Sequence, residues 1–313
     1  MTRVGVTSKS FSKNAFLRNQ LLKRYPDSYF NENDVVFDDE TLVDFLKGCD
    51  KAIIGLETIN KHILTLLPDL RVISKYGVGL DSLDLAAMST HRVMLGWTPG
   101  VNKRSVSELV VGQMIAVLRY LYETNGDLKK GIWQVRKSHQ LSCQTVGIIG
   151  LGNVGQDLVR LLRGFGCSIV AFDVADRSIF ARKNNVQLVD FCELIQISDI
   201  ISVHVPYKKN TANMIGKLEL SKMKDNSILL NFARGRIIDE AAALGALQKG
   251  KLSALVLDVF EEEPPRNRDL IEHPRFFGSC HIGGSSFEAI NSMGLAAIDG
   301  LDAGRPALDF SQF

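Results

Sequence analysis

TVGIIGLGNVGQDLVRLLRGFGCSIVAFD, residues 145–173, is the stretch that decides the fold. Thr145–Ile149 has strand character and runs into Gly150-x-Gly152-x-x-Gly155, with Asn153 and Val154 between the last two glycines. An amphipathic helix should follow, with Leu158, Leu161, Leu162 and Phe165 at helical spacing. A second strand, Ser168–Phe172, ends in Asp173. In such a βαβ opening the first glycine permits a tight turn. The second lets a pyrophosphate approach the backbone, and the third brings helix and sheet together. The helix N-terminus offers unpaired N–H groups and partial positive charge to phosphates. A carboxylate at Asp173 suits ribose hydroxyls and would repel a 2′-phosphate, which favours NAD over NADP; Arg177 weakens that preference. Glycine triplets also serve plain tight packing. The flanking strands, the helix and the acid together support the nucleotide reading.

Outward from this unit, βα alternation continues on both sides. Before it, strands are expected at Arg3–Thr7, Val35–Phe37, Ala52–Leu56, Val72–Ser74 and Val93–Leu95. Helices are expected at Phe16–Tyr25, Glu40–Leu46, Lys61–Leu67 and Leu83–Met88. This pattern predicts a small parallel sheet with helices on its faces. Asn102–Tyr122 reads as one long, mostly apolar helix, with Ser105-x-x-Glu108 as a capping box near its start. Asn125–Gln144 reads as an irregular arm anchored by Trp133. After it, strands are expected at Ile200–Val205, Ile228–Phe232, Leu255–Val259 and Phe276–Cys280, with helices at Glu240–Gln248 and Ser286–Leu301. Polar residues recur at the C-terminal ends of these strands, the edge that holds ligands in open α/β sheets.

A chain of 313 residues accommodates one large or two ordinary domains. The formal net charge of +2 points to neither nucleic acid nor an anionic membrane. No apolar run has the length of a membrane span, and no secretory signal is visible. The five cysteines show no CxxC spacing and read as reduced thiols of a cytoplasmic protein. No metal site is expected.

Three polar residues stand out. Arg234 follows an apolar strand and precedes Gly235; a guanidinium there can grip a carboxylate bidentately, or simply form a salt bridge. His281 precedes two glycines at another strand end, where a lone histidine is more often structural than catalytic. Glu263 closes an acidic run before Pro264-Pro265, a composition usual in solvated loops. Gly77-Val78-Gly79 follows a strand and leaves backbone N–H groups open to an anion, although an ordinary strand-to-helix turn looks the same.

The segments YGVGLDSLDL, TPGVNKRSVSEL, TVGIIGLGNVG, VHVPYKKNT, NFARGRIID, LDVFEEEPP and HIGGSS closely resemble the D-isomer-specific 2-hydroxyacid dehydrogenases, in that family's order and spacing. The likeness runs from about Val72 to Gly294 and is strongest to the phosphoglycerate dehydrogenase-like branch. It implies two doubly wound parallel-sheet α/β domains: a Rossmann NAD-binding domain, 101–285, inserted in a flavodoxin-like substrate domain, 1–100 plus 286–313. It implies NAD-dependent interconversion of a D-2-hydroxy acid and its 2-keto acid. Arg234 would hold the substrate carboxylate and keto oxygen, His281 would be the acid–base catalyst, and Glu263 its carboxylate partner. Gly150, Gly152, Asn153, Val154, Gly155, Asp173, Val205, Pro206, Thr211, Ala233, Asp258, Gly283 and Gly284 would line the cofactor site, with Asp258 on the nicotinamide carboxamide. Lys75, Tyr76, Val78 and Gly79 would meet the substrate.

The sequence also departs from the family. Cys280 stands where proline commonly precedes the histidine. Glu57 stands in a segment where many phosphoglycerate dehydrogenases carry a phosphate-binding arginine, so 3-phosphoglycerate remains open as substrate. With the sequence ending at Phe313, C-terminal regulatory domains of the kind some relatives carry are not expected. A homodimer is expected, and the alternative reading is an NAD(H)-sensing, corepressor-like binding protein on the same fold.

Overall fold

The structure is a computed structural model, and it describes residues 2–311. The chain divides into two compact units, one formed by residues up to Asn102 and from Ser285 onward, the other by Lys103–Gly284.

The first unit contains strands β1 (Val4–Val6), β2 (Ser28–Phe30), β3 (Lys51–Ile54), β4 (Val72–Lys75) and β5 (Met94–Gly96). A short last strand, Arg305–Pro306, pairs antiparallel to β5; all other pairs are parallel. The sheet order β2-β1-β3-β4-β5 is the flavodoxin-like one, with its switch point between β1 and β3. Polar caps set the helix starts. Asp38 accepts from Thr41 N while the Thr41 hydroxyl returns to Asp38 N, a reciprocal box. Asn14, Asn60, Asp84 and Ser286 cap four more helices.

The second unit contains β6 (Thr145–Ile149), β7 (Ser168–Phe172), β8 (Gln187–Leu188), β9 (Ile200–Val203), β10 (Ser227–Asn231), β11 (Leu252–Leu257) and β12 (Phe276–Gly278). All are parallel, in the order β12-β11-β10-β9-β6-β7-β8. Counted from β6 this is the Rossmann order, with the switch point between β6 and β9. Central strands have helices on both faces, so β9 and β10 are buried at every residue. The helix Lys103–Leu118 packs on the helix Asn153–Leu162 through Val106, Val110 and Met114. A buried Asp157 accepts from Arg104 Nη2 at 3.0 Å and from Ser107 Oγ at 2.6 Å, with Arg104 Nε in ion-pair contact at 3.0 Å. Ser105 Oγ donates to Gly283 O at 2.6 Å.

Four expectations change. Val35–Phe37 forms no strand; Ser28–Phe30 takes that place beside β1, and Val36 is 82% exposed. Asn31 shapes this turn by donating to Thr7 O and Val35 O and accepting from Val35 N. The long helix is two helices, Lys103–Leu118 and Leu121–Lys129, separated where Tyr120 adopts a left-handed backbone, φ 56°. Ser105 caps nothing, because it lies inside the first helix and its hydroxyl is spent on Gly283. Trp133, 86% exposed, anchors nothing among the described residues.

Candidate active site

The glycine turn after β6 has the geometry that a dinucleotide requires. Gly150 takes φ 97°, where a side chain is strained, and a Cβ there would strike His204 O and Val205. A Cβ on Gly155 would overlap Gly150 O, so glycine alone lets the helix start this close to the turn. Around Gly152, by contrast, a Cβ would meet nothing within 4 Å. Gly152 is the N-cap of the helix Asn153–Leu162 and brings no side chain to cap it. Open space before an uncapped helix N-terminus fits a pyrophosphate.

Asp173 follows β7. Its Oδ2 accepts from Leu151 N at 2.7 Å, and its Oδ1 from Ala175 N at 2.8 Å. The carboxylate is thereby fixed beside the glycine turn, with lone pairs left for ribose hydroxyls. Arg177 Nε lies 3.4 Å from Asp173 Oδ2, an ion pair without hydrogen-bond geometry. Beyond β9, Thr211 Oγ1 donates to Pro206 O at 2.7 Å and accepts from Lys208 N at 2.7 Å, which sets the loop carrying Val205 and Pro206. His204 Nε2 shares a hydrogen bond with Ser202 Oγ at 2.8 Å. The residue is only half-buried, but its Nδ1 is out of contact with water and unpartnered among the described residues. Burial of the ring lowers its pKa to about 3.

The three chemical candidates stand on loops that leave the C-terminal ends of β10, β11 and β12. Asn231 closes β10 and shapes the first loop: its side chain accepts from Ala233 N at 3.0 Å and donates to Arg234 O at 2.8 Å. Arg234 is half-buried, and its Nη1 donates to Ala233 O at 2.7 Å. Glu263 Oε1 accepts from Phe260 N at 3.2 Å, while Oε2 meets His281 Nδ1 at 2.8 Å. An ionised carboxylate only accepts, so Nδ1 carries the hydrogen and Nε2 is left for chemistry. The pair is open, with side-chain exposures of 49% for His281 and 40% for Glu263. An exposed ion pair contributes little to stability.

Asp258 lies just past β11 and is 1% exposed. It accepts from Ser279 Oγ at 2.6 Å, Ile282 N at 2.8 Å and Gly283 N at 2.8 Å. Gly283 is buried and Gly284 half-buried. Ser279, Ser105 and Asn231, which organise these loops, were absent from the sequence-derived set. Asn231 alone had a readable signal, a polar residue closing the apolar run Ile228–Leu230.

The remaining candidates belong to the first unit. Lys75 ends β4, is buried, and donates from Nζ to Gly55 O and, at 3.2 Å, to Ser82 Oγ. Glu57 Oε2 accepts from Gly55 N at 2.7 Å. The two charged side chains therefore hold opposite ends of the Gly55 residue in the loop after β3. Tyr76 packs edge-on against Phe11 and shares a hydrogen bond with Ser10. Gly77 takes φ 131° and is followed by half-buried Val78 and Gly79.

A family model described as D-isomer specific 2-hydroxyacid dehydrogenase, NAD binding domain, matches residues 111–283. D-3-phosphoglycerate dehydrogenase of Methanocaldococcus jannaschii is 35% identical over 259 residues, covering 82% of this chain and 49% of that protein. Hydroxypyruvate reductase of Thermotoga maritima is 35% identical over 246 residues, covering 77% of this chain and 79% of that protein. The chain thus spans about half the length of the first relative and most of the second. A crystal structure of a glyoxylate reductase from Paecilomyes thermophila superposes with a TM-score of 0.86 at 24% identity, covering 96% of this chain and 95% of that one, and so shares the fold.

Proposed function

We propose, from the premise that this chain belongs to the D-isomer-specific 2-hydroxyacid dehydrogenase family, that it interconverts a small D-2-hydroxy acid and its 2-keto acid with NAD. The observation that carries this reading is the 2.8 Å contact between His281 Nδ1 and Glu263 Oε2, in the same unit as a glycine turn fit for a dinucleotide. NAD, when bound, takes or supplies the hydride at C2 of the acid.

In oxidation, Nε2 of neutral His281 accepts the proton of the substrate hydroxyl as the carbonyl forms. In reduction, protonated His281 returns it to the keto oxygen. Glu263 holds the ring and balances the positive charge that develops on it. Arg234 grips the carboxylate and stabilises negative charge on the keto oxygen. The N-terminal groups of Asn153, Val154 and Gly155 would hold the pyrophosphate, Asp173 the ribose, and Val205, Pro206, Thr211 and Ala233 the remaining wall. Backbone groups at Val78 and Gly79 would receive the substrate carboxylate, with Lys75 and Tyr76 supporting that loop.

The relatives quoted are enzymes, so the corepressor-like alternative finds no support in them. Phosphorylated and unphosphorylated acids are separated by a panel of phosphohydroxypyruvate, hydroxypyruvate, glyoxylate and pyruvate, with NADH consumption as the readout. Turnover of none of these or of bulkier keto acids, with NADH bound, would sink the proposed activity.

We also read the protein as a cytoplasmic homodimer. Among the described residues no helix is long and apolar enough to cross a membrane. Ile132, Trp133 and Val135 are exposed on one segment after the helix Leu121–Lys129, and a second copy would cover them.

A further inference from the structure

His281 stands on a backbone that its residue type disfavours, with φ 53°. The loop around it is gathered onto a single buried carboxylate. Ser279 Oγ and Ile282 N converge on Asp258 Oδ1, and Gly283 N on Oδ2, all within 2.8 Å. Two of these donors are the peptide N–H groups of the two residues that follow His281. The loop is also held from outside: Ser279 N donates to Leu257 O at 2.9 Å, and Gly283 O accepts from Ser105 Oγ at 2.6 Å. There is little slack, since a Cβ on Gly283 would lie 3.0 Å from Asp258 Oδ2.

We propose that Asp258 is a positioning residue for His281: its carboxylate locks the left-handed backbone on which the imidazole stands, so that Nδ1 meets Glu263 and Nε2 keeps one orientation. The proposal rests on reading His281 as the acid–base group. It adds to Asp258 a task separate from contact with the nicotinamide, because both of its oxygens already serve the histidine loop. Glu263 fixes the ring from the side chain, and Asp258 fixes it from the main chain. Loss of either leaves the ring with more than one orientation, and a misplacement of about 1 Å is enough to slow proton transfer on the order of 100-fold.

The test compares wild type with Asp258→Asn and Ser279→Ala in three measurements: turnover, NADH affinity by fluorescence, and the imidazole ¹⁵N shifts of His281, assigned by their loss in His281→Gln. Asparagine keeps the volume but donates on one side where aspartate accepts. For Asp258→Asn the expected result is a fall in kcat of about 10- to 100-fold, and Ser279→Ala, outside the residues assigned to the cofactor, should change NADH affinity by less than about threefold. The nitrogen shifts should change from a single Nδ1–H tautomer to a mixture. Ser279→Ala should move kcat and shifts the same way by less, and it decides the matter if Asp258→Asn does not fold. Unchanged shifts overturn the proposal; if they accompany weakened NADH binding, Asp258 serves the cofactor directly. If wild type turns over no keto acid, the proposed reaction fails, but the nitrogen shifts still decide whether Asp258 orders the ring.

Discussion

Gly235 lies against the backbone carbonyl of Phe260 so closely that a Cβ on Gly235 would overlap the oxygen. This contact joins the loop carrying Arg234 to the loop carrying Glu263, since Phe260 N also donates to Glu263. Gly235→Ala must push the two loops apart. Turnover should fall by about 100-fold and stability by about 1–3 kcal/mol. Kinetics and thermal melting would check both, and wild-type values in both would refute the contact.

His281→Gln removes the proposed proton carrier but keeps the loop. A fall in kcat of about 10²- to 10⁴-fold is expected, with NADH titrating as in wild type. Glu263→Gln retains a partner for Nδ1 without the charge and should cost less. An Arg234→Ala variant should lose turnover with NADH binding nearly intact. Full activity of His281→Gln on every accepted acid would remove it from the mechanism.

Two glycines of the nucleotide turn should respond in opposite ways. Gly152→Ala places a methyl in open space, so the protein should fold normally while that methyl obstructs the cofactor phosphates. Gly155→Ala drives a methyl into Gly150 O, so melting temperature should fall. Calorimetry and NADH fluorescence separate the cases. Unimpaired NADH binding by Gly152→Ala would mean that the space before this helix is not the phosphate site.

His204 should make stability depend on pH. Its folded pKa, about 3, lies below the ordinary value of 6.5, because burial disfavours the charged ring. Protonation therefore favours the unfolded chain. The stabilisation is complete above about pH 6.5 and is lost as pH falls toward 3. With its half-burial allowed for, the slope from this group should be about 1 kcal/mol per pH unit. Urea denaturation of wild type and His204→Gln between pH 7 and 4 would show it as a shallower dependence in the variant. Parallel curves would contradict the burial of the ring.

Trp133→Asp should shift sedimentation from the proposed dimer toward monomer without changing the melting temperature of the dilute protein, because the indole is 86% exposed. A variant that sediments as wild type would exclude this segment as a dimer contact.

Much of the fold was legible because buried parallel strands are mostly apolar runs bounded by turn residues, as in Ile200–Val203 and Ile228–Leu230. Where burial is partial, the signal failed. Ser28–Phe30 is only half-buried and opens on serine, whereas Val35–Phe37 is apolar but unpaired. The helix break at Tyr120 follows from backbone conformation, with no proline or glycine to announce it. The chemistry was legible only through motif resemblance, because isolated Arg234, Glu263 and His281 each have an ordinary structural explanation. Asp258 and the loop it binds are 21 to 25 positions apart, a spacing without local periodicity.

The hydrogen bond from Ser105 to Gly283 has a topological consequence. It joins the third residue of the inserted unit to the residue before its last, so that segment begins and ends at one point. A chain excursion of this kind has almost no span to bridge. Its two ends can be joined by a few flexible residues at small entropic cost, and new ends can then be opened in a surface loop. The unit beginning at Lys103 is therefore suited to circular permutation, and as a cassette it can be exchanged between hosts without stretching the chain that receives it.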